Sequence, residues 1–163
     1  MKDEVYYFHQ TPIDLAAKLV ESVPLVEGDV VLEPFRGEGA FYNSLPDFVK
    51  KEHCEIQEGI DYKDHEGMVD WVISNPPFRI DGKNAFFNTL DYFSSKVNKG
   101  IGFLGNDYCL NTLTPVRLKQ LNNRGLWISN ITVCNVKKWR GRYYFILFTK
   151  TPNPFYKFIE GAF

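Results

Sequence analysis

A short polar and aromatic segment, with residue types suited to chemistry, follows an apolar run in the middle of the chain. The run covers 69–73, and the segment reads Asn75-Pro76-Pro77-Phe78. The run has the length and β-branched content of a buried strand, and two consecutive prolines cannot continue a strand ladder. Because proline restricts the residue before it to extended conformations, the pattern predicts an asparagine held at the carboxyl end of a strand, where open α/β sheets bind ligands. An ordinary strand-terminating turn is the alternative, since Asn-Pro commonly opens turns.

A second segment, upstream of the first, has the layout of a cofactor-binding turn. Apolar residues lead into Glu33-Pro34-Phe35 and then into a glycine pair, Gly37 and Gly39. Because glycine lacks a Cβ, the backbone can turn sharply there and approach a ligand closely. Backbone amides at the start of the following helix suit an anion. The third glycine of the dinucleotide-binding fingerprint is absent, so a solvated acid at the end of a strand is the alternative for Glu33.

In chain order, the glycine-containing segment and then the tetrapeptide resemble those of the adenine-N6 (amino) methyltransferases that use S-adenosyl-L-methionine. That family places an Asp/Glu-Pro-Phe-x-Gly-x-Gly cofactor loop before an Asp/Asn-Pro-Pro-Tyr/Phe catalytic tetrapeptide, and residues 33–39 and 75–78 match these patterns. Residues 8–12 look like the threonine-proline segment that precedes the loop, and 55–56 and 59–62 look like further parts of compact members. The resemblance covers most of the chain and implies S-adenosyl-L-methionine as the cofactor.

The same resemblance implies the fold. It is an α/β, Rossmann-like class I methyltransferase fold in three layers, with a mostly parallel seven-stranded sheet and a terminal antiparallel hairpin. The residues alone indicate only alternating strands and helices in one domain, 1–163. Their pattern predicts helices from Pro12, at 84–97 and from Pro115, and strands at 30–33, 53–57, 100–105, 127–136 and 143–150. The interval between Phe41 and Asn75 is short for the family, which puts the usual third strand and its helix in question.

For the tetrapeptide, the resemblance implies a specific chemistry. The lone pair of an exocyclic adenine nitrogen is delocalised into the ring and attacks a methyl-sulfonium carbon poorly. The side-chain oxygen of Asn75 and the carbonyl of Pro76 can each accept one N–H, which directs the lone pair at the methyl group. Phe78 can stack on the base, which must be flipped out of a duplex. This chemistry needs no metal.

Around the cofactor, the resemblance implies that Glu33 accepts hydrogen bonds from the ammonium group and that amides near Gly37 and Gly39 meet the carboxylate. Thr11 is a candidate helix cap, the resemblance implies that its segment reaches the methionine end of the cofactor, and one residue can do both.

Two acidic positions complete the predicted cofactor site. An acid after the second strand would hold the ribose hydroxyls, and Glu55 fits that place with Glu58 as its rival. The resemblance alone makes Asp61 the candidate acceptor for the amino group of the cofactor's adenine, and an acid in a turn is its alternative.

Basic residues in two places are candidates for substrate contact. Arg79 and Lys83 lie in the predicted loop 79–83, for which a plain solvated connector is the alternative. The cluster 137–144 mixes cations with aromatic rings, as expected for nucleic-acid contact, and a hairpin turn is its alternative. The candidate residues there are Lys138, Trp139, Arg140 and Arg142.

Composition limits the partners without naming one. A net charge of -1 excludes a generally basic nucleic-acid binder but not a local basic face. The three cysteines are widely spaced, which favours reduced thiols in the cytoplasm over a metal site, and no signal peptide or membrane span is evident. We expect DNA as the substrate, with RNA bases and a protein glutamine amide as alternatives. Since no separate target-recognition domain follows, a partner could supply recognition, and a non-catalytic cofactor-binding subunit is a further alternative.

Overall fold

The computed structural model describes residues 10–152 and 156–159. Its helices are α1 (Ile13–Glu21), α2 (Ala40–Ser44), α3 (Ala85–Ser94), α4 (Asp107–Asn111) and α5 (Pro115–Asn123), with 3-10 turns at Ile56–Glu58 and Tyr62–Asp64. Its strands are β1 (Val30–Glu33), β2 (Lys50–His53), β3 (Val69–Ser74), β4 (Arg79–Ile80), β5 (Lys83–Asn84), β6 (Val97–Asn106), β7 (Trp127–Cys134) and β8 (Tyr143–Thr149).

Six of these strands form the central sheet of the described chain, in the order β2-β1-β3-β6-β8-β7. The pairs β2–β1, β1–β3 and β3–β6 are parallel, whereas β8 is antiparallel to both β6 and β7. The predicted terminal antiparallel hairpin is therefore confirmed. The predicted seventh strand is absent from the described residues, because the short interval between β2 and β3 folds into the two 3-10 turns.

The fold has three layers, a central sheet with helices on each face, because the apolar side chains of the strands point alternately to the two faces. Val31 and Ile73 pack in a cluster on the face covered by α1 and α2, whereas Leu32 and Val72 pack on the face covered by α3 and α5. The same alternation continues into β8, where successive residues Phe145 to Phe148 join the two clusters in turn. Because successive side chains of a strand point to opposite faces, each strand serves both layers.

The second strand lies earlier than predicted. The sequence prediction was 53–57, but β2 covers Lys50–His53. It lies at the edge of the sheet and is polar, with exposed and half-buried residues alternating, so it carries little hydrophobic signal. Glu55 then accepts a hydrogen bond from the amide of Gln57, which starts the first 3-10 turn and ends the extended chain.

The segment after the tetrapeptide is a hairpin rather than the predicted loop. Arg79 pairs with Asn84 and Ile80 pairs with Lys83 in antiparallel register. The turn residues Asp81 and Gly82 both have positive φ, 50° and 71°, as a two-residue hairpin turn requires. Asn84 also caps α3 by accepting a hydrogen bond from Phe87 N. The hairpin thus connects the tetrapeptide directly to a buried helix.

Most remaining elements follow the predictions, but the helix predicted over 84–97 ends at Ser94, because Val97 pairs with Val69 of β3 and begins β6, three residues before the predicted start at 100. Thr114 caps α5, which starts at Pro115, and the predicted hydrophobic helix after 84 is α3. All three cysteines are buried, unpaired thiols. No helix within the described ranges combines the length and apolar character that crossing a bilayer requires.

Candidate active site

The candidate site lies where the order of the strands reverses. The chain runs from β1 to β2 on one side, and then crosses to β3 on the other side of β1. Ligands of open α/β sheets bind in the crevice that such a reversal creates at the carboxyl ends of the strands. Glu33 ends β1 and Ser74 ends β3, and a hydrogen bond joins the Ser74 hydroxyl to Glu33 Oε1.

A cleft of about 320 Å³, counting the part open to solvent, occupies this crevice. Its lining includes five of the predicted cofactor and catalytic residues: Thr11, Glu33, Phe35, Gly37 and Asn75. These residues come from three separate segments of the chain, so the fold brings together groups that the sequence only places in order.

Glu33 is a deeply buried acid, 2% exposed, in the floor of the cleft. Its Oε1 atom also accepts a hydrogen bond from Phe35 N at 3.1 Å. Burial raises the pKa of the Glu33 carboxyl to about 8, although the bonds from Ser74 and Phe35 lower it and the charge of Glu55 raises it. Among the described residues no cation pairs with Glu33, so this site suits a cationic ligand group. The alternative of a solvated acid is therefore wrong.

The glycine turn has the sharp backbone that was predicted. Gly37 and Gly39 have φ values of 53° and 87°, which favour glycine. A Cβ on Gly39 would also lie 2.9 Å from the Asn43 amide nitrogen. The two amides, however, already donate within the chain: Gly39 N to Arg36 O at 2.8 Å and Gly37 N to a carboxylate oxygen of Glu55 at 2.7 Å. They are thus engaged in holding the turn.

Glu55 has a role that sequence reasoning missed. It is 7% exposed, and its two oxygens accept from Gly37 N and from Gln57 N at 3.0 Å. It therefore fastens the glycine turn to the first 3-10 turn. Its rival Glu58 is exposed and forms ion pairs with Arg36 and His53. The chain does not bring either acid into the lining of the cleft, and a ribose contact stays a prediction.

Asp61 lies in the next turn. Its carboxylate accepts from Lys63 N at 2.9 Å and so caps the second 3-10 turn. The neighbouring ring of Tyr62 lies 5.0 Å from that of Phe35, which lines the cleft. Asp61 itself is a capping acid beside the site, and its predicted contact with the adenine of the cofactor is untested.

Thr11 and Asn75 are in direct contact. Asn75 Nδ2 donates to Thr11 Oγ1 at 3.2 Å, across 64 positions of sequence. Helix α1 has Pro12 as its N-cap, and no side chain caps it. The capping interpretation of Thr11 is therefore wrong, because its hydroxyl is turned toward the tetrapeptide instead. This bond orients the asparagine amide.

The rest of the tetrapeptide is fixed by packing. Pro76 is buried, and the carbonyl of Phe78 accepts from Ala85 N and Phe86 N at 3.1 and 3.3 Å. The Phe78 ring is half-buried and contacts the hydrophobic clusters on both faces of the sheet. The cleft lining includes Asn75 but not the three residues that follow it.

The predicted substrate residues lie outside the cleft but at the same edge of the sheet. Arg79 and Lys83 are exposed in the hairpin that follows β3. The loop 135–142 joins the carboxyl end of β7 to the start of β8, and its Lys138, Arg140 and Arg142 are exposed. Trp139 is half-buried, with its ring 4.5 Å from that of Tyr143.

Two further residues at this edge were not predicted. Asp107 and Tyr108 begin α4 directly after β6, the strand beside β3. Their signal was positional: they follow a buried strand as Asn75 does, at the edge where parallel strands carry functional residues. No pattern in the sequence joins them to distant basic residues.

Comparison with known proteins identifies the fold. No family model and no curated protein matches the chain. A candidate RNA methyltransferase from Pyrococcus horikoshii is similar in structure, with a TM-score of 0.65, 18% identity and coverage of 88% of this chain and 87% of the other. The magnesium protoporphyrin IX methyltransferase ChlM of Synechocystis PCC 6803, which has bound SAM, gives a TM-score of 0.61 at 9% identity, covering 85% and 78%.

A third similar structure belongs to a complex. One chain of the E. cuniculi Mtq2–Trm112 complex, responsible for methylation of the eRF1 translation termination factor, gives a TM-score of 0.56 at 18% identity, covering 88% of this chain and 97% of that one. At these identities the likeness defines the architecture. The chain has the Rossmann-like fold of class I methyltransferases.

Proposed function

We propose that this protein is an S-adenosyl-L-methionine-dependent methyltransferase that acts on the exocyclic N6 of adenine in DNA. The observation that carries the proposal is the convergence of Thr11, Glu33, Phe35, Gly37 and Asn75 on one cleft at the strand-order reversal. The resemblance assigns Asn75 to the methyl acceptor and the other four residues to the cofactor side of the site. The parallel pairing of β1 and β3 brings Glu33 and Asn75 together, and the segment before α1 adds Thr11, which contacts Asn75 across 64 positions of sequence.

The residues of the cleft fit this cofactor. The cleft opens to solvent, and its lining combines the aromatic rings of Phe35 and Phe41 with the polar side chains of Thr11, Glu33 and Asn75. The buried Glu33 carboxyl, without a cation among the described residues, is placed to accept hydrogen bonds from an ammonium group. When bound, S-adenosyl-L-methionine supplies a methyl group on a sulfonium centre. The fold's similarity to ChlM, which has bound SAM, agrees with this choice.

Asn75 is the proposed catalytic acceptor. Asn75 Nδ2 donates to Thr11, and this bond fixes the plane of the amide. The acceptor atom Oδ1 therefore points away from Thr11. Oδ1 and the Pro76 carbonyl accept the two N–H bonds of the target nitrogen. This draws the lone pair out of conjugation with the ring, and the nitrogen becomes nucleophilic toward the methyl carbon. Packing at Pro76 and Phe78 keeps these acceptors in place.

The choice of a nucleic acid over a protein as substrate rests on the basic residues at the edge of the sheet that carries Asn75. Arg79, Arg142 and the exposed residues of loop 135–142 lie at the edge that carries Asn75. Positive charge and aromatic rings there suit a nucleic acid better than a protein amide. A glutamine amide is the second candidate, because it presents the same planar N–H₂ group and because the Mtq2–Trm112 complex acts on a protein.

The test is incubation of the purified protein with labelled S-adenosyl-L-methionine and separate pools of DNA, RNA and protein. Nucleoside mass spectrometry identifies the product, with Asn75→Ala as the inactive variant and the exposed Asn88→Ala as the matched control. N6-methyladenine in DNA, lost only in Asn75→Ala, supports the proposal. Label in RNA or protein moves the activity to that substrate.

A third result has a different meaning. Calorimetry that detects cofactor binding, together with no label in any pool, would overturn the catalytic proposal for the chain alone. The protein would then be a cofactor-binding subunit that needs a partner for target recognition. Absence of cofactor binding would overturn both interpretations.

A further inference from the structure

Two arginines from distant parts of the sequence meet adjacent residues at the start of α4. The guanidinium carbon of Arg79, in β4, lies 4.2 Å from the centre of the Tyr108 ring. Arg142, just before β8, donates from Nε to Asp107 Oδ2 at 3.1 Å. A single turn of helix therefore holds an arginine from each predicted substrate segment.

Asp107 is itself anchored to the sheet. The Tyr144 hydroxyl donates to Asp107 Oδ1 at 2.8 Å, and Tyr144 is a buried residue of β8. The hydrogen bond from Tyr144 and then that from Arg142 hold the pKa of Asp107 below its usual value. Asp107 is thus an ionised, oriented acceptor. The side chain of Arg142 is 74% exposed, and exposed ion pairs contribute little to folding, so stability alone is a poor reason for this arrangement.

Both guanidinium groups keep donors for a ligand. Arg79 contacts Tyr108 through the face of its guanidinium, and within the described ranges that guanidinium makes no hydrogen bond or ion pair. Arg142 is bound through Nε, and its terminal nitrogens have no partner in the same part of the chain. Arg124 differs, because it binds Asp91 through Nε and Nη1 and reaches Ser94 as well.

The pair lies close to the proposed catalytic residue. Ser74 pairs with Phe103 across β3 and β6, and Asp107 follows four residues later. At roughly 3.3 Å per residue, α4 begins roughly 13 Å beyond the level of Ser74, measured along the strand direction.

We propose that Asp107 and Tyr108 form an arginine platform, which holds Arg79 and Arg142 in place to bind backbone phosphates of a single nucleic-acid strand beside the target base. The platform deepens the proposed function and rests on it for the position of the target. Guanidinium groups bind phosphate through paired N–H donors, and a fixed guanidinium loses less freedom on binding than a mobile one. Asp107 and Tyr108 are positioning residues in this proposal.

The first test measures binding of a fluorescein-labelled, single-stranded oligodeoxynucleotide by anisotropy over a range of salt concentrations. For a single strand, each phosphate contact contributes about 0.7 to the slope of log affinity against log salt. Arg79→Ala and Arg142→Ala should each lower the slope by about 0.7. The matched control Arg124→Ala removes one exposed, ion-paired arginine at a distance and should leave it unchanged. Equal slopes for all three variants would overturn the platform.

The second test separates positioning from charge. Asp107→Ala makes the protein one charge more positive, so general electrostatics predicts tighter binding to a polyanion. The platform predicts weaker binding, because Arg142 loses its anchor. Tyr108→Ala should weaken binding with no change of charge, and Tyr108→Phe should restore it, because the ring alone holds Arg79. Thermal melting checks that each variant is folded. Tighter binding by a folded Asp107→Ala would overturn the proposal.

Failure of the platform and failure of the proposed function give different results. If Arg79→Ala and Arg142→Ala bind and methylate DNA like the unchanged protein, the platform is wrong and the activity stands. If both arginines govern binding of the oligonucleotide but no methyl group is transferred to it, the platform stands and the proposed activity is wrong.

Discussion

The cofactor cleft and the arginine platform lie at one edge of the sheet but are built in opposite ways. The acids that build the cleft are buried: Glu33 in its lining is 2% exposed, and Glu55, which holds the glycine turn from behind, is 7% exposed, and both accept hydrogen bonds from backbone amides. On the platform, Arg142 and Asp107 have side chains that are 74% and 48% exposed. The geometry of the cleft is therefore held by buried hydrogen bonds, and that of the platform by interactions between exposed side chains.

This difference determines how each region should respond to change. Losing one partner of a buried polar group leaves the other unsatisfied in a medium of low dielectric, which is costly. Surface charges are screened by water and salt, so each contributes little alone. We expect single substitutions in the cleft to have large effects at any salt concentration, and those on the platform to have effects that fade as salt increases.

The largest effect is expected for Asn75→Ala. The substitution removes the proposed acceptor at the target nitrogen, and loss of one oriented hydrogen-bonding group of this kind reduces kcat by about a hundredfold or more. Cofactor affinity should change little, because the ammonium site at Glu33 is untouched. Single-turnover methylation and calorimetry measure the two quantities separately. A variant with normal turnover would remove Asn75 from the mechanism.

The next prediction concerns the proton on Glu33. With a pKa of about 8, the folded protein holds this proton at neutral pH, whereas the unfolded chain releases it near the ordinary value of 4.5. Since the folded state binds more protons in this interval, stability falls as pH rises, by up to about 1.4 kcal/mol per pH unit. Glu33→Gln removes this dependence. Urea unfolding at several pH values between about 5 and 8 measures the two slopes. If the unfolding free energies of the unchanged protein and of Glu33→Gln depend on pH with the same slope, the raised pKa of Glu33 is contradicted.

Ligand binding should follow the opposite trend with pH. A cationic ammonium group favours ionised Glu33, so binding releases a proton. Affinity for S-adenosyl-L-methionine should therefore rise about tenfold from about pH 6 to about pH 7, before the α-amino group of the cofactor begins to deprotonate. Calorimetry in buffers of different ionisation enthalpy counts the released proton. Glu33→Gln should bind weakly and without this dependence.

A smaller effect distinguishes Glu55 from Glu58. Glu55→Ala leaves the amides of Gly37 and Gln57 without their carboxylate, and hydrogen bonds to charged groups contribute about 1.5 to 3 kcal/mol. We expect a loss of about 2 kcal/mol in unfolding free energy, together with weaker cofactor binding. Glu58→Ala breaks exposed ion pairs and should cost under about 1 kcal/mol. If denaturant unfolding shows equal losses of unfolding free energy for the two variants, burial of the carboxylate does not determine its contribution to stability.

The same contrast explains what could be predicted from the sequence. The strands β1 and β3 were predictable because they are apolar runs with sharp ends, and the groups on them converge because the ends of neighbouring parallel strands meet. The continuous apolar run of β8 and the Thr-Pro start of α5 were equally local signals. Local patterns were thus sufficient wherever the hydrophobic core dictates the structure.

The failures share a different cause. The edge strand β2 is Lys-Lys-Glu-His, so it has no apolar pattern, and its pairing with β1 is visible only in the fold. The contact between Glu55 and Gly37 joins residues of different segments, as does that between Arg142 and Asp107. Side-chain hydrogen bonds of this range leave no periodic trace in a single sequence. The helix-capping prediction for Thr11 failed for the same reason.

The smallest effect in the cleft should be that of Thr11→Val, which keeps the shape of the side chain and removes the hydroxyl that accepts from Asn75 Nδ2 at 3.2 Å. The amide then loses one restraint on its orientation, and the proposed acceptor Oδ1 is less well aligned. We expect kcat to fall about tenfold, the equivalent of about 1.4 kcal/mol, with cofactor affinity nearly unchanged.

Thr11→Ser restores the hydroxyl and should restore kcat. If Thr11→Val instead weakens cofactor binding and leaves kcat intact, Thr11 acts on the cofactor and not through Asn75. That result would also alter the comparison between the two regions. The cleft would then bind the cofactor without orienting Asn75 Oδ1. The alignment of the target nitrogen would depend instead on the residues that bind the substrate, such as those of the arginine platform.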